Sequence, residues 1–462
     1  MTVARNLARY VTGLTFSSLP PEVVHQVKRL MVDTLGCAIG GYASDASKVI
    51  QEVVKELGGP KESTIIGSGA KTSCLNAALA NGAMVRYLDY NDVACLRTEL
   101  PVKIGAHPSE VMPPILALGE RHHLTGKEVI AAIVAGYELS ARFMDSVVGA
   151  SFEERGWSFD IRGAYIMPLL AGKILGLTEE QMENAVGICG SYHVVFGITD
   201  TPAEEYTMAK NIRFPSTAYG GIMAAMLAQK GFTGPTRMIE GHDGFVEVIM
   251  KGDFDLDRLT RIEGKFKILD TAVKPLIACY PAQGHLSATL KLVNEHDIRP
   301  EDVVEVRVRA GAKCVQHTGD PVKKYPANKE TADHSSYYLT AISIFDRQLG
   351  PEQFTMEKFA DPRVRELIDK VILEGDEELD KIRTAGIVEI TTGQGARHSC
   401  RVDYPRGHPL NPMMDEEIVN KFRSMATKYM TESQIKQLIN TIFELDKLDD
   451  IGDLMKLLVF KH

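Results

Sequence analysis

Apolar residues recur at helical spacing through most of the first 260 positions. Val23, Val27, Leu30, Met31 and Leu35 lie on one helical face, and Gly40-Gly41 ends that run. The stretch VARNLARYVTGL predicts a helix before it. Thr125 with Glu128, Thr178 with Gln181 and Thr431 with Gln434 each place a hydroxyl three residues before a carboxylate or amide, the spacing at which both can satisfy free backbone N–H groups. Small residues crowd the stretches AALANGAM, AAIVAGYEL and GGIMAAMLAQ, which predicts closely packed helices, although the helix propensity of Ala explains part of this.

The pattern changes near residue 265. Val304, Val306 and Val308 alternate with Glu305, Arg307 and Arg309, a half-buried strand. IVEITT (387–392), the turn GQG and SCRVDY (399–404) predict a hairpin, and helical patterns cover 333–347 and 363–374. Helical spacing returns after Pro405. The fold expected is mainly α with an inserted α+β domain: a helical bundle from 1–265 and 405–462, and a smaller α+β domain from 266–404.

Composition narrows the function. Lys and Arg number 52 against 61 Asp and Glu, a net charge of −9, which argues against a general nucleic-acid binder while leaving room for a basic pocket. No apolar run reaches the roughly 20 residues that span a bilayer, and the N-terminus reads as a first helix rather than a secretory signal. Seven scattered cysteines contain no C-x-x-C pair, so they read as reduced cytoplasmic thiols rather than zinc or iron–sulfur ligands. Phosphate-loop, dinucleotide, zinc-protease and serine-hydrolase motifs are missing, and Ser68 with Lys71 is an isolated S-x-x-K match. The chemistry expected is that of side chains alone, without metal or cofactor.

Five segments hold candidate chemistry. LDYND (88–92) and AHPSE (106–110) supply Asp89, Asp92 and His107, with Ser109 able to cap the next helix. MAKNIRFPSTAYGG (208–221) places Lys210 and Arg213 before a helix start, a carboxylate clamp. TAVKPLIACYPAQGH (271–285) brings Lys274 and His285 to the domain junction. NKETADHSSYYL (328–339) carries Asp333 as a cap and His334 in the first turn, and YPRGHPLNPM (404–413) reads as a rigid return to the helices holding Arg406 and His408. Each segment also has a plain reading as caps, turns or packed histidines. Together they suit a small polycarboxylate.

In this order, these segments, with VVHQVKRLMVDTLGCAIGG and LLAGKILGLTEEQ, resemble the MmgE/PrpD family of 2-methylcitrate dehydratase, cis-aconitate decarboxylase and iminodisuccinate epimerase. The resemblance implies a helical domain with an α+β lid, a homodimer and a metal-free site between the domains; composition adds the expectation of a cytoplasmic protein without nucleic-acid or membrane partners. It places catalytic roles on Asp89, His107, Lys210, Lys274 and His285; the segments themselves offer Asp92, Arg213 and His334 as substrate contacts. Val93 stands where decarboxylase-like members carry Thr, and ETADHS is closer to dehydratase-like members. The first expectation is therefore a hydro-lyase that eliminates water from a tri- or dicarboxylate, as a 2-methylcitrate dehydratase does. Decarboxylation, epimerisation and a non-catalytic helical scaffold are the alternatives.

Overall fold

A computed structural model describes residues 1–460. The N-terminal part is a bundle of helices: α1 (Val3–Gly13), α2 (Pro21–Gly41), α3 (Asp45–Leu57), α4 (Cys74–Tyr87), α5 (Met112–His122), α6 (Gly126–Asp145), α7 (Gly163–Leu175), α8 (Glu179–Tyr192) and α9 (Arg213–Gln229). Helix α4 is central and packs against α2, α5 and α9, while α7 packs on α8 and α9. The small residues do work here: a Cβ added to Gly41 would lie 2.2 Å from the carbonyl oxygen of Met84. Thr125 and Thr178 form the expected reciprocal caps. Thr431 caps its helix alone, because the Gln434 amide reaches instead to the carbonyls of Leu457 and Val459, 3.3 and 2.8 Å away.

After β5 (Thr271–Ala272) come α10 (Gln283–Glu295), β6 (Val303–Gly311), α11 (Ser336–Asp346), α12 (Pro362–Asp369), β7 (Val371–Asp376), β8 (Gly386–Thr392) and β9 (Arg397–Val402). The four-stranded sheet runs β7-β6-β8-β9, with β7 parallel to β6 and the other pairs antiparallel. Val306 and Val308 point into the core, and Arg307 and Arg309 point out. Val304 breaks the expected alternation: the register with β8 shifts between Val303 and Glu305, so Val303 is buried and Val304 exposed. The helical pattern expected over 363–374 stops at Asp369, and Val371 begins a strand paired to Val306. One apolar core unites the helical bundle, including Val273 and Met413. Another holds residues from Ala278 to Ile390 between the sheet and α10–α12. The chain then returns to the bundle as α13 (Asp415–Ala426) and α14 (Glu432–Phe443). The protein is mainly helical, with a smaller α+β unit inserted.

Strands β1 (Ser63–Thr64) and β2 (Lys71–Thr72) pair as a short antiparallel ribbon in the helical part, and a further small sheet fixes the junction. Strand β3 (Val93–Arg97) lies between β4 (Lys103–Gly105) and β5, with Val93 opposite Ala272. This register sets the residues just before β3 beside those just after β5. Gly407, at φ +89°, accepts the Val273 N–H at 3.0 Å where a Cβ would lie 1.9 Å from the Val273 carbonyl oxygen, so the return loop needs glycine there.

Candidate functional site

The α4 helix ends at Tyr87, and Asp89 takes a left-handed conformation at φ +49°, which turns its carboxylate toward the inserted unit. Lys274, carried there by the β3–β5 pairing, donates to Asp89 Oδ2 at 2.9 Å and to its carbonyl at 2.8 Å. Arg86 bonds the other carboxylate oxygen, and Lys210 Nζ lies 3.9 Å from it. From behind, Lys421 on α13 donates to the Tyr90 carbonyl at 2.7 Å and pairs with buried Asp33 at 2.6 Å, pinning the loop that holds Asp89. Burial raises the Asp89 pKa, but Lys274, Lys210 and Arg86 together outweigh it and hold the group well below the ordinary aspartate value. Lys274 is shifted the other way: burial lowers it against the pull of Asp89, making its ammonium a stronger acid than free lysine.

Buried ionisable side chains, mostly paired acid to base, close into a ring. Asp89 pairs with Arg86, Arg86 lies 3.5 Å from Glu110, and Glu110 is 2.7 Å from Arg162. Arg162 is 2.5 Å from Asp160, which is 2.9 Å from Arg213, and Arg213 is 2.8 Å from Asp200. His334 lies 4.0 Å from Asp200 and contacts Asp333, and Lys210 closes the circuit, 3.0 Å from Asp333. Lys329 adds a second cation at 2.6 Å from Asp333. Asp333 was expected as a helix cap; Ser335 takes that task, leaving the Asp333 carboxylate as the counter-ion of Lys210. Burial is opposed by Lys210, Lys329 and His334, and Asp333 ends below its ordinary value. Charges this deep are tolerated only because each has a partner.

His107 sits beside this ring. Its Nδ1 is 2.6 Å from the Asp92 carbonyl oxygen, which can only accept, so the neutral ring carries its proton on Nδ1 and leaves a lone pair on Nε2. Burial, then Arg86 and Lys274, lower its pKa well below the ordinary histidine value. Ser109 does not cap α5, which starts at Met112 after a 3₁₀ turn; its N–H donates to Asp92 Oδ1 at 3.1 Å. Tyr137 donates to Asp92 Oδ2 at 2.6 Å, and burial raises the Asp92 pKa to about 6. Asp92 thus supports His107 from behind.

The structure therefore gathers Asp89, Asp92, His107, Lys210, Arg213, Lys274 and His334. His285 stands apart, inside the α+β core, with Nε2 3.2 Å from Ser336 Oγ and burial alone lowering its pKa to about 3. Arg406 pairs with Glu417 and His408 accepts the Leu410 N–H, so both serve the return loop. The sequence reading missed Arg86, Glu110, Asp160, Arg162, Asp200, His317 and Lys329. Arg86 follows Asp89 backward by one helical turn, the one local signal among them. Ligand atoms of Asp89, Asp333 and His334, and of Asp200, His317 and His334, converge within 4.8 Å, but cationic side chains already neutralise these carboxylates. A hollow of about 580 Å³ lies elsewhere, lined by Trp157, Val194, Met238 and Phe245.

Comparison with known sequences identifies the family. The MmgE/PrpD N-terminal domain matches residues 5–257 and the MmgE/PrpD C-terminal domain matches 277–445. The chain belongs to the MmgE/PrpD family. Among MmgE/PrpD relatives, the cis-aconitate decarboxylase of Aspergillus terreus is 26% identical over 99% of this chain and 96% of that protein. The human cis-aconitate decarboxylase is 25% identical over 99% and 94%. The 2-methylcitrate dehydratase of Cupriavidus necator is 23% identical over 91% and 90%. In this MmgE/PrpD chain, no helix among the described residues is long and apolar enough to cross a membrane.

Proposed function

We propose that this chain is a cofactor-independent lyase that eliminates water from a small tricarboxylate of the 2-methylcitrate kind. The reading rests on one arrangement: ionised Asp89 held between Lys274 and Lys210, with the bare Nε2 of His107 within electrostatic reach. His107 Nε2 takes the proton α to a carboxylate. The C–O bond breaks, and the departing hydroxide takes a proton from the Lys274 ammonium and leaves as water. Lys210 stabilises the charge that builds on the carboxylate oxygens, by about 3 kcal/mol for a well-placed donor. Asp89 orients both lysines. Arg213 and His334 hold the rest of the substrate, and Asp92 fixes the His107 tautomer. His285 takes no proton-transfer role in this scheme. The side chains that meet here come from both units, so substrate enters when the lid lifts.

Decarboxylation of cis-aconitate is a second reading, favoured by the relatives of that name, which match nearly the whole chain. A leaving carboxylate needs an apolar surround, whereas a leaving hydroxide needs proton donors, and this site is rich in the latter. Incubation with 2-methylcitrate, citrate, cis-aconitate and iminodisuccinate, with products followed by NMR, tests the reading. Loss of water from 2-methylcitrate or citrate supports it; release of CO₂ from cis-aconitate alone would replace it. The family resemblance further leads us to propose a homodimer in the cytoplasm. The exposed side chains Tyr192, Val194, Phe196 and Ile198 offer an apolar contact face, and the seven free thiols suit a reducing compartment. Sedimentation at micromolar concentration gives the oligomeric state.

A further inference from the structure

Between the 3₁₀ turns Gly197–Asp200 and Met208–Ile212 the chain crosses from the helical bundle onto the lid. Ala203 N–H donates to Asp320 Oδ2 at 2.9 Å, and Tyr206 N–H donates to Thr331 Oγ1 at 3.0 Å. At the start of this crossing, Asp200 lays its carboxylate beside one arginine and two histidines, drawn from both units, and burial keeps both histidine rings neutral at pH 7. Its Oδ2 accepts from Arg213 Nη1 at 2.8 Å, and its Oδ1 lies 3.5 Å from His317 Nε2 and 4.0 Å from His334 Nε2.

Three features make this carboxylate exchangeable rather than structural. Arg213 keeps a second buried counter-ion, Asp160 at 2.9 Å, and so does not depend on Asp200 for neutralisation. Asp200 Oδ1 and Arg213 Nη2 are both buried without a hydrogen-bond partner in the chain, although Arg213 is only 3% exposed; orphaned groups of this kind mark places where another molecule completes the bonding. Finally, Thr201–Glu205 next to Asp200 contribute no side chain to either core. His334 links this nest to the reacting groups, since its Nδ1 is 3.2 Å from Lys210 Nζ while its Nε2 faces Asp200.

We propose that Arg213, His317 and His334 form the subsite for the substrate carboxylate farthest from the reacting carbon, and that Asp200 is the protein's own carboxylate occupying that subsite until substrate exchanges with it. The inference rests on the tricarboxylate reading above and adds Asp200 and His317 to the site. Substrate binding then competes with an internal anion, and the apparent affinity is reduced by the fraction of time that Asp200 holds the nest.

The test is binding of tricarballylate, a saturated tricarboxylate that cannot react, to the full chain by calorimetry. Asp200→Asn removes the competing charge and keeps the shape; it should bind about tenfold tighter than the wild type. Weaker or unchanged binding in Asp200→Asn would overturn the proposal. His317→Phe keeps a ring beside Tyr206 on a side chain that is 28% exposed, so folding is preserved. It should bind tricarballylate several-fold more weakly at unchanged Tm, with succinate binding unaffected, and an unchanged tricarballylate Kd would sink the subsite even if Asp200→Asn did not fold. Turnover separates this from the reaction: tightening with no turnover of any tested carboxylate removes the lyase reading and keeps the subsite, while turnover without tightening does the reverse.

Discussion

Two buried histidines mark two different interiors. His107 lies at the junction of the units, among Arg86, Lys274 and Asp89, with its Nδ1 held by a carbonyl. His285 lies in the α+β core, where Ser336 and Thr318 hydroxyls stand 2.6 Å apart beside it and no charge shifts it. Both rings are neutral at pH 7. At the junction neutrality comes among charged neighbours of both signs; in the core it comes from burial alone. The comparison teaches that low exposure and a lowered pKa do not identify a reacting histidine. What identifies it is convergence of independent chain segments that bring opposite charges to one place.

The strongest way to break this distinction is Asp89→Asn. It should lower kcat by about a thousandfold. It also leaves Lys274 and Arg86 short of a buried counter-charge, a cost on the order of 3–5 kcal/mol, which chemical denaturation will read. Normal turnover would move the reaction away from the junction. Next, Lys210→Ala should lose about a hundredfold or more in turnover with a modest change in Tm, because Asp333 retains Lys329 at 2.6 Å. A sharp fall in Tm would make Lys210 structural.

The pH profile sharpens the picture. His107 is lowered, so its basic form persists below the ordinary histidine pKa and the acid limb of kcat should fall below pH 6.5. Lys274 is also lowered, so its acidic form disappears early and the alkaline limb should begin below pH 10.5. A bell centred on an unshifted histidine would contradict both placements. Asp92 gives a smaller, stability-only signal. Its pKa rises to about 6 on folding, so its contribution is fully present below the unfolded aspartate value and is lost as pH rises through about 6. Asp92→Asn should therefore gain stability relative to the wild type as pH rises from 4 to 7.5, by about 3 kcal/mol at most; a relative loss over that range would show that burial is not the cause. The mildest case is His285→Gln, expected to cost about 1–2 kcal/mol of stability while holding kcat within about tenfold of the wild type. A loss comparable with Asp89→Asn would erase the contrast between the two histidines.

How far the chain could be read depended on range. Helical periodicity, two of the three reciprocal caps and the β8–β9 hairpin are local, and each was legible because its partners lie a few residues apart. The strand Val371–Asp376 was not, because its pairing with β6 is a contact across more than sixty residues. The candidate groups Asp89, His107, Lys210 and Lys274 stood out through their motifs, yet Asp333 read as a cap until the fold placed Lys210 and Lys329 against it. Arg162 and Asp160 carry no motif, and their place in the ring depends on Glu110, from the turn before α5, and on Arg213, at the start of α9.

By itself, the order of apolar, small and charged residues determined a helical protein with an inserted α+β unit, and the short motifs singled out the candidate groups. Tertiary structure decided which of them meet. Secondary structure follows from side-chain spacing along one chain, whereas a buried charge is stable only where the fold supplies its opposite, and that partner can lie hundreds of residues away.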